Sequence, residues 1–282
     1  MESVMREEMN NVVETPKKKG GITGSTLKWI AIVTMLIDHI AATVLTRMLI
    51  DKGYYDIMLG TDMEAMYAFS AENALLILGM TLMRCVGRIA FPIFCFLLVE
   101  GFLHTSNIKK YLLRLALFAL ITEVPFDLAI AGMPFSMAYQ SVMVTLLIAM
   151  LMLCGIKWVE GREWQKVVRA IACLGIVAVA AAVAIILRTD YTWSGVLCIA
   201  GMYYLGKKGK KVRGAFLGCA FLIMGGLMEV LALIGVAFIA LYNGERGMKM
   251  KYFFYAFYPA HLLILWIICA LLGLGSINTL IM

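Results

Sequence analysis

Charge is scarce in this chain. Asp, Glu, Lys and Arg make up 15% of its 282 residues, against about 25% in an ordinary soluble domain. Apolar residues reach 62% and mean hydropathy is +0.89. The excess covers nearly the whole length, which excludes a soluble globular protein and also a soluble domain on a single anchor. The seven cysteines (85, 95, 154, 173, 198, 219 and 269) fall in apolar stretches with no C-x-x-C spacing and no nearby His ligand set. They read as small buried hydrophobes, so no disulfide framework and no metal site are expected. Also missing are a Walker loop, a dinucleotide fingerprint, H-E-x-x-H and G-x-S-x-G, any repeat of fixed period, coiled-coil heptads and low-complexity tracts. Residues 1–25 are polar and lack the short apolar core and small-residue cleavage site of a signal peptide, so none is expected to be removed.

What is present is a succession of apolar stretches. They predict an all-α polytopic integral membrane protein, a bundle of about nine transmembrane helices at roughly 26–49, 74–103, 110–131, 137–157, 166–187, 191–206, 212–226, 228–243 and 252–279. The organisation expected is a polar tail at 1–25 and one membrane domain over 26–282. Ser25-Thr26 can cap the first helix. The acidic segment 50–72 reads as a loop or short surface helix. The stretch 74–103 contains Arg84, Gly87, Arg88 and Pro92 and so is expected to be oblique or broken in its first half. Gly225-Gly226 splits 213–243 into a hairpin of two short spans.

Net charge is +7, yet in a membrane protein basic residues report topology before nucleic acid, and no nucleic-acid partner is expected. Of the 25 Lys and Arg, nine spans with the N-terminus inside place twenty in cytoplasmic segments. Only Arg47, Lys52 and Arg188 fall outside, while Arg84 and Arg88 lie in the membrane. That asymmetry fits a cytoplasmic N-terminus.

Ionisable groups deep in a bilayer are costly and usually functional, at about 2.5–3.5 kcal/mol each on insertion scales. By depth they are Asp38 and His39 in the first span, Arg88 in the second, Glu123 and Asp127 in the third and His261 in the last. Glu229 and Asp190 lie near outer ends and Glu100 near an inner end. Asp38 and His39 are about 100° apart on a helix and should meet different partners. Asp38 suits either an ion pair with Arg88 or a direct chemical role; His39 suits an interhelical hydrogen bond or a working role beside a second imidazole, His261. Glu123 and Asp127 share a face at i, i+4, and Pro125 between them interrupts the backbone ladder; they form a polar pocket wall or hold Arg88 or Arg84. Glu100 can pair with Lys109, Lys110 or Arg114, and His104 reads as a solvated interfacial residue. The run Lys207-Lys208-Gly209-Lys210-Lys211-Val212-Arg213 is a lipid-headgroup anchor or an attractor for a polyanionic cosubstrate. The aromatic group 252–258 reads as an interfacial belt.

Four strings inside these spans resemble the TraX family of bacterial membrane proteins: Ile37-Asp38-His39; Gly87-Arg88-Ile89-Ala90-Phe91-Pro92-Ile93-Phe94 leading to Glu100-Gly101-Phe102; Glu123-Val124-Pro125-Phe126-Asp127; and Tyr258-Pro259-Ala260-His261-Leu262. The resemblance covers residues 26 to about 270. It implies a bacterial cytoplasmic-membrane protein related to transmembrane acyltransferases, since founding members are associated with N-terminal acetylation of conjugative pilin. It also implies acetyl-CoA as acyl donor, no metal, and a peptide, pilin-like or glycan acceptor offering an amine or hydroxyl.

On that reading His39 takes the acceptor proton, Arg88 or freed helix ends offset charge on the thioester oxygen, and Asp38, Glu123, Asp127 and His261 complete the site. Lys207, Lys208, Lys210, Lys211 and Arg213 would draw in the donor, either for direct transfer or through an acyl-histidine. The competing reading is a proton-coupled small-molecule transporter, in which Asp38, His39, Arg88, Glu123 and His261 relay ions; no inverted repeat supports it. A purely structural assembly protein would leave five deep ionisable residues without a purpose.

Overall fold

A computed structural model describes residues 20–249 and 251–275. Arg6, Lys17, Lys18 and Lys19 of the polar tail, and the last residues of the span predicted to reach 279, lie outside the described residues. The described chain is all-helical, with no strand and two isolated backbone bridges, Ile22–Tyr242 and Gln140–Thr189.

Helix α1 runs Gly24–Asp51. Its cap is Thr23, two residues before the predicted pair, whose side chain accepts from the Thr26 amide at 3.3 Å. A π-helical turn, Ala41–Leu45, widens α1 directly after His39; Thr43 donates to the His39 carbonyl there at 2.6 Å. Two short helices, α2 (Tyr54–Leu59) and α3 (Met63–Glu72), occupy the acidic segment. Then come α4 (Ala74–Gly87) and α5 (Ala90–His104). The chain breaks at Arg88-Ile89, and Pro92 falls in the first turn of α5, where its missing N–H costs nothing. Arg88 therefore sits in a gap between two half-helices rather than in mid-helix.

Helix α6 (Ile108–Ile130), capped by Asn107, continues through Pro125, close to the predicted 110–131. After a loop come α7 (Val142–Glu160), starting five residues later than predicted, and α8 (Lys166–Ile186). Next are α9 (Thr192–Gly206) and α10 (Lys211–Gly225). The chain turns at Gly226, passes through a 3-10 segment, Leu227–Ala232, and continues as α11 (Leu233–Ala240). The 3-10 segment and α11 pack back on α10, with the Cys219 thiol 3.6 Å from the Ala232 carbonyl, so 213–243 is a hairpin. Helix α12 (Lys251–Leu271) closes against α6 and contains Pro259.

Among the described residues five stretches are long and apolar enough to cross a membrane: Gly24–Asp51, Ala74–His104, Val142–Glu160, Lys166–Ile186 and Tyr252–Leu271. Helices α9 and α10 have 15 residues each, about 22 Å at ~1.5 Å per residue, short of a ~30 Å hydrocarbon core. Helix α6 is long but carries Lys109, Lys110, Arg114, Glu123 and Asp127. One apolar core runs from Leu27 to Leu262, while Leu75, Leu120, Ile171 and Leu174 stay exposed on outer faces, as lipid-facing positions of a membrane protein do.

Candidate functional site

Asp38 and His39 leave α1 in different directions, and each becomes the root of a cluster. The Asp38 carboxylate accepts from Arg84 at 2.7 Å and from Arg88 at 3.0 Å, and Arg88 reaches onward to Glu229 at 2.7 Å. The break between α4 and α5 makes this possible by freeing Arg88 to span from α1 to the 3-10 segment. Gly87 brings the break against α1: a methyl group there would overlap the Asp38 side chain. Glu229, near the start of the 3-10 segment, thus belongs to the buried network. The Arg88 guanidinium also lies 5.8 Å from the centre of the Tyr191 ring, which stacks on Phe91 at 3.7 Å.

Tyr191 is held in a left-handed backbone conformation (φ 60°), flanked by Thr192 (37°) and Arg188 (50°), a cost justified only by surrounding constraints. Those constraints are visible. The Gln140 amide donates to the Arg188 carbonyl at 3.1 Å, and the Gln140 carbonyl accepts from the Asp190 amide at 2.9 Å. Tyr139 donates to the Asp190 carboxylate at 2.6 Å, and Thr145 donates to the Asp190 carbonyl. Burial pushes the Asp190 carboxyl above its ordinary pKa, and the Tyr139 hydrogen bond pulls it back.

His39 turns the other way and meets His261 of α12. Their rings stack with centroids 4.9 Å apart, and His39 Nδ1 lies 2.6 Å from His261 Nε2. His261 Nδ1 is 2.8 Å from the Phe257 carbonyl, which can only accept. In the neutral pair His261 therefore carries its proton on Nδ1, its Nε2 accepts, and His39 donates from Nδ1. That leaves the lone pair of His39 on Nε2, which has no hydrogen-bond partner among the described residues. Pro259 lies within the same helical turn as Tyr258 and His261, where its missing N–H loosens the ladder.

Beside the pair ends a cavity of about 550 Å³. Met35, Val142 and Tyr258 line its inner end, one helical turn from His39. At the other end are Gly24, Glu100, His104 and three cations, Lys28, Arg114 and Arg246. None of the three cations joins an ion pair among the described residues, and the Arg114 Nε is buried without a partner. Glu100 pairs with Lys211 at 2.7 Å, not with Lys109, Lys110 or Arg114. His104 is 69% exposed at its side chain and lies 2.9 Å from the Glu100 carbonyl.

The basic run stands outside the cavity wall. Lys207 is engaged by Glu160, Lys211 touches only its rim through Glu100, and Lys208, Lys210 and Arg213 are exposed. Glu123 and Asp127 hold neither Arg84 nor Arg88. Glu123 accepts from Ser141 Oγ at 2.6 Å and keeps its second oxygen buried and unpaired; Asp127 accepts from the Ser136 amide at 2.8 Å. Asp127 lines a separate cavity of about 300 Å³ with Ser136, Tyr139 and Arg188.

Sequence reading missed Tyr258 as a buried group. It sits at the end of the supposed aromatic belt, yet it is 6% exposed and its hydroxyl has no partner among the described residues. A buried unpaired hydroxyl costs about 1–3 kcal/mol. The signal was available in its spacing, three residues before a deep histidine on one helix face. Among the described residues no group of three or more His, Cys, Asp and Glu is placed to hold a metal ion.

Three of the four strings noted in the sequence contribute to the two clusters, while Glu123–Asp127 lies outside both. The family described as TraX protein matches residues 23–269. The chain belongs to the TraX family. It is also similar to the probable fimbrial assembly protein FimC of serogroup H1 from Dichelobacter nodosus, at 27% identity over 207 residues, covering 65% of this chain and 81% of that protein. No solved structure matches. In this TraX protein two of the strings mark different structures. Gly87-Arg88 builds the ion-pair network, and Tyr258-Pro259-Ala260-His261 builds the imidazole pair.

Proposed function

We propose that this TraX protein is a membrane-embedded acyltransferase that moves an acetyl or related acyl group from cytoplasmic acyl-CoA to an amine or hydroxyl of a peptide, pilin-like or glycan acceptor. The observation that carries the reading is the His39–His261 pair, one helical turn from Met35 in the wall of a cavity with a cationic mouth. The FimC relative's name, a fimbrial assembly protein, supports a pilin-like acceptor. The protein lies in the bacterial cytoplasmic membrane with nine spans and the N-terminus inside. Helices α9 and α10 and the 227–240 segment cross as short spans in a locally thin, protein-lined region. This orientation turns the mouth of the large cavity, with Lys28, Arg114 and Arg246, toward the cytoplasm.

The donor's phosphates meet those three cations, and its thioester reaches the inner end. The acceptor nitrogen or oxygen attacks the thioester carbon, and its proton passes to His39 Nε2 as the new bond forms. Collapse breaks the carbon–sulfur bond, and the departing thiolate takes the proton back from His39. His261 steadies the imidazolium by accepting from Nδ1, and its own orientation is fixed by the Phe257 carbonyl. Arg88, occupied by two carboxylates, organises the bundle around this chemistry.

The test is turnover of labelled acetyl-CoA by the purified full chain in detergent, with the N-terminal peptide of a fimbrial subunit as acceptor. Positioned proton transfer is worth roughly 10²–10⁴ in rate, so His39→Ala should lose that factor in kcat while still binding acetyl-CoA. Full turnover in a folded His39→Ala protein removes the imidazole from the chemistry and returns the ion-relay transporter to first place.

A further inference from the structure

The inner end of the cavity contains a polar group to which the acyl-transfer scheme assigns no task. Tyr258 is 6% exposed, lines the cavity, and has a hydroxyl without a partner among the described residues. Its ring meets the His39 and His261 rings edge-on, with centroids 5.8 and 5.5 Å away. The hydroxyl lies beside the amide of Val142, also a lining residue and the first residue of α7. The start of that helix is uncapped. Ser141 stands at the cap position but makes no cap hydrogen bond, because its Oγ is turned to Glu123. The helices beginning after Thr23, Asp62 and Asn107 are each closed by the side chain of that residue. Like α8, α9 and α10, α7 has no side-chain cap, but its first residues, Val142 and Met143, line the cavity, and its first-turn amides carry the partial positive charge of a 19-residue helix.

We propose that the Tyr258 hydroxyl and the first-turn amides of α7 form an oxyanion-binding site for the thioester carbonyl oxygen. The assignment rests on the acyl-transfer reading. During attack the carbonyl electron pair moves onto oxygen, and the two kinds of donor stabilise that charge; on collapse the pair returns, the C=O re-forms and the thiolate departs. No bond to Tyr258 is made and no proton leaves it. Arg88 does not fill this role, since Asp38 and Glu229 already occupy its guanidinium. An unpaired hydroxyl and an uncapped helix are poor for stability in the resting protein, and they are what a site needs when it is complementary to a charge that appears only in the transition state.

Tyr258→Phe in the full chain is the decisive variant. Loss of one oxyanion donor costs about 10²–10³ in kcat, whereas the KM for acetyl-CoA and its direct binding should be unchanged. The melting temperature should match or exceed wild type, because the unsatisfied hydroxyl is gone. A role in packing alone would leave kcat at the wild-type value. His39→Ala, assayed alongside, separates the two readings. His39-dependent turnover together with full kcat in Tyr258→Phe overturns the oxyanion assignment alone. Wild-type protein without His39-dependent turnover overturns acyl transfer and this assignment with it. Loss of acetyl-CoA binding in Tyr258→Phe also overturns it, since the hydroxyl is given no part in holding the ground state.

Discussion

Asp38 and His39 are consecutive on α1 at the same depth, and the protein treats them in opposite ways. Around Asp38 the charges are closed on one another: two guanidinium groups and a second carboxylate form a chain across three elements, each within 3.0 Å of the next. Around His39 the polar groups are left open. The outer nitrogen of the imidazole has no hydrogen-bond partner among the described residues, and Tyr258 and the start of α7 beside it line the cavity. A closed network fixes the geometry of a bundle, and an open one leaves capacity for a ligand. On the proposed acyl transfer, the first side of α1 serves mainly stability and the second mainly chemistry.

The largest break in that contrast should come from removing Arg88. Taking one partner from a buried ion pair typically costs about 3–5 kcal/mol, because the remaining charges are stranded; here Arg88→Met strands Glu229 outright. Thermal unfolding in a single detergent should register that loss, and Arg88→Met with Glu229→Gln should recover much of it. His39→Ala, by comparison, leaves only the His261 Nε2 without a donor and should shift the melting temperature little. If Arg88→Met were the stable variant and His39→Ala the unfolded one, the division between the two sides of α1 would be reversed.

Gly87→Ala is a smaller perturbation of the closed side. The added methyl overlaps the Asp38 side chain, so α4 must move away from α1. Overpacking of this kind costs about 1–3 kcal/mol. A lowered melting temperature with acetyl-CoA binding intact is the expected pair of results; unchanged stability would mean that the approach of α4 to α1 is not tightly held.

How much of this was readable in advance follows from the range over which each feature is determined. Helices and their ends are local. Apolar runs located the helical stretches, Gly225-Gly226 located the hairpin, and Gly87-Arg88 located the break. Partnerships are not local. Asp38 could be matched with Arg88 by depth, yet Arg84 one turn away on α4 was equally close and Glu229 is 141 residues from its partner. Hydropathy cannot rank such options, because it measures depth and not rotation about a helix axis. The same limit explains Tyr258: composition placed it among the aromatic residues of a belt, and only the rotation of α12 turns it inward while Tyr252 and Phe253 remain outside. Pro125 lies inside the stretch expected at 110–131, and the helix runs through it. A proline removes one hydrogen bond of a helix but ends it only where packing does not hold the turn, and here α7 and α12 pack on α6.

Density of charge along the chain and convergence of charge in space point to different places, and this gives the smallest and most specific prediction. The 207–213 run is the most basic segment in the sequence, but Lys207 and Lys211 are committed to Glu160 and Glu100. The cavity mouth instead draws one cation each from α1, α6 and the 241–249 loop: Lys28, Arg114 and Arg246. If donor phosphates are recognised there, Lys28→Gln and Arg246→Gln should each raise the KM for acetyl-CoA about two- to fivefold at low salt, and less as ionic strength rises, because partly exposed charges are screened. Lys208→Gln with Lys210→Gln should leave it unchanged at every salt concentration. Lys211→Gln belongs with the first group despite its place in the run, since its loss leaves Glu100 as an unpaired anion at the mouth. Steady-state kinetics over a salt series decide the matter. A KM that follows Lys208 and Lys210, and ignores Lys28 and Arg246, would move the donor out of this cavity and onto the loop.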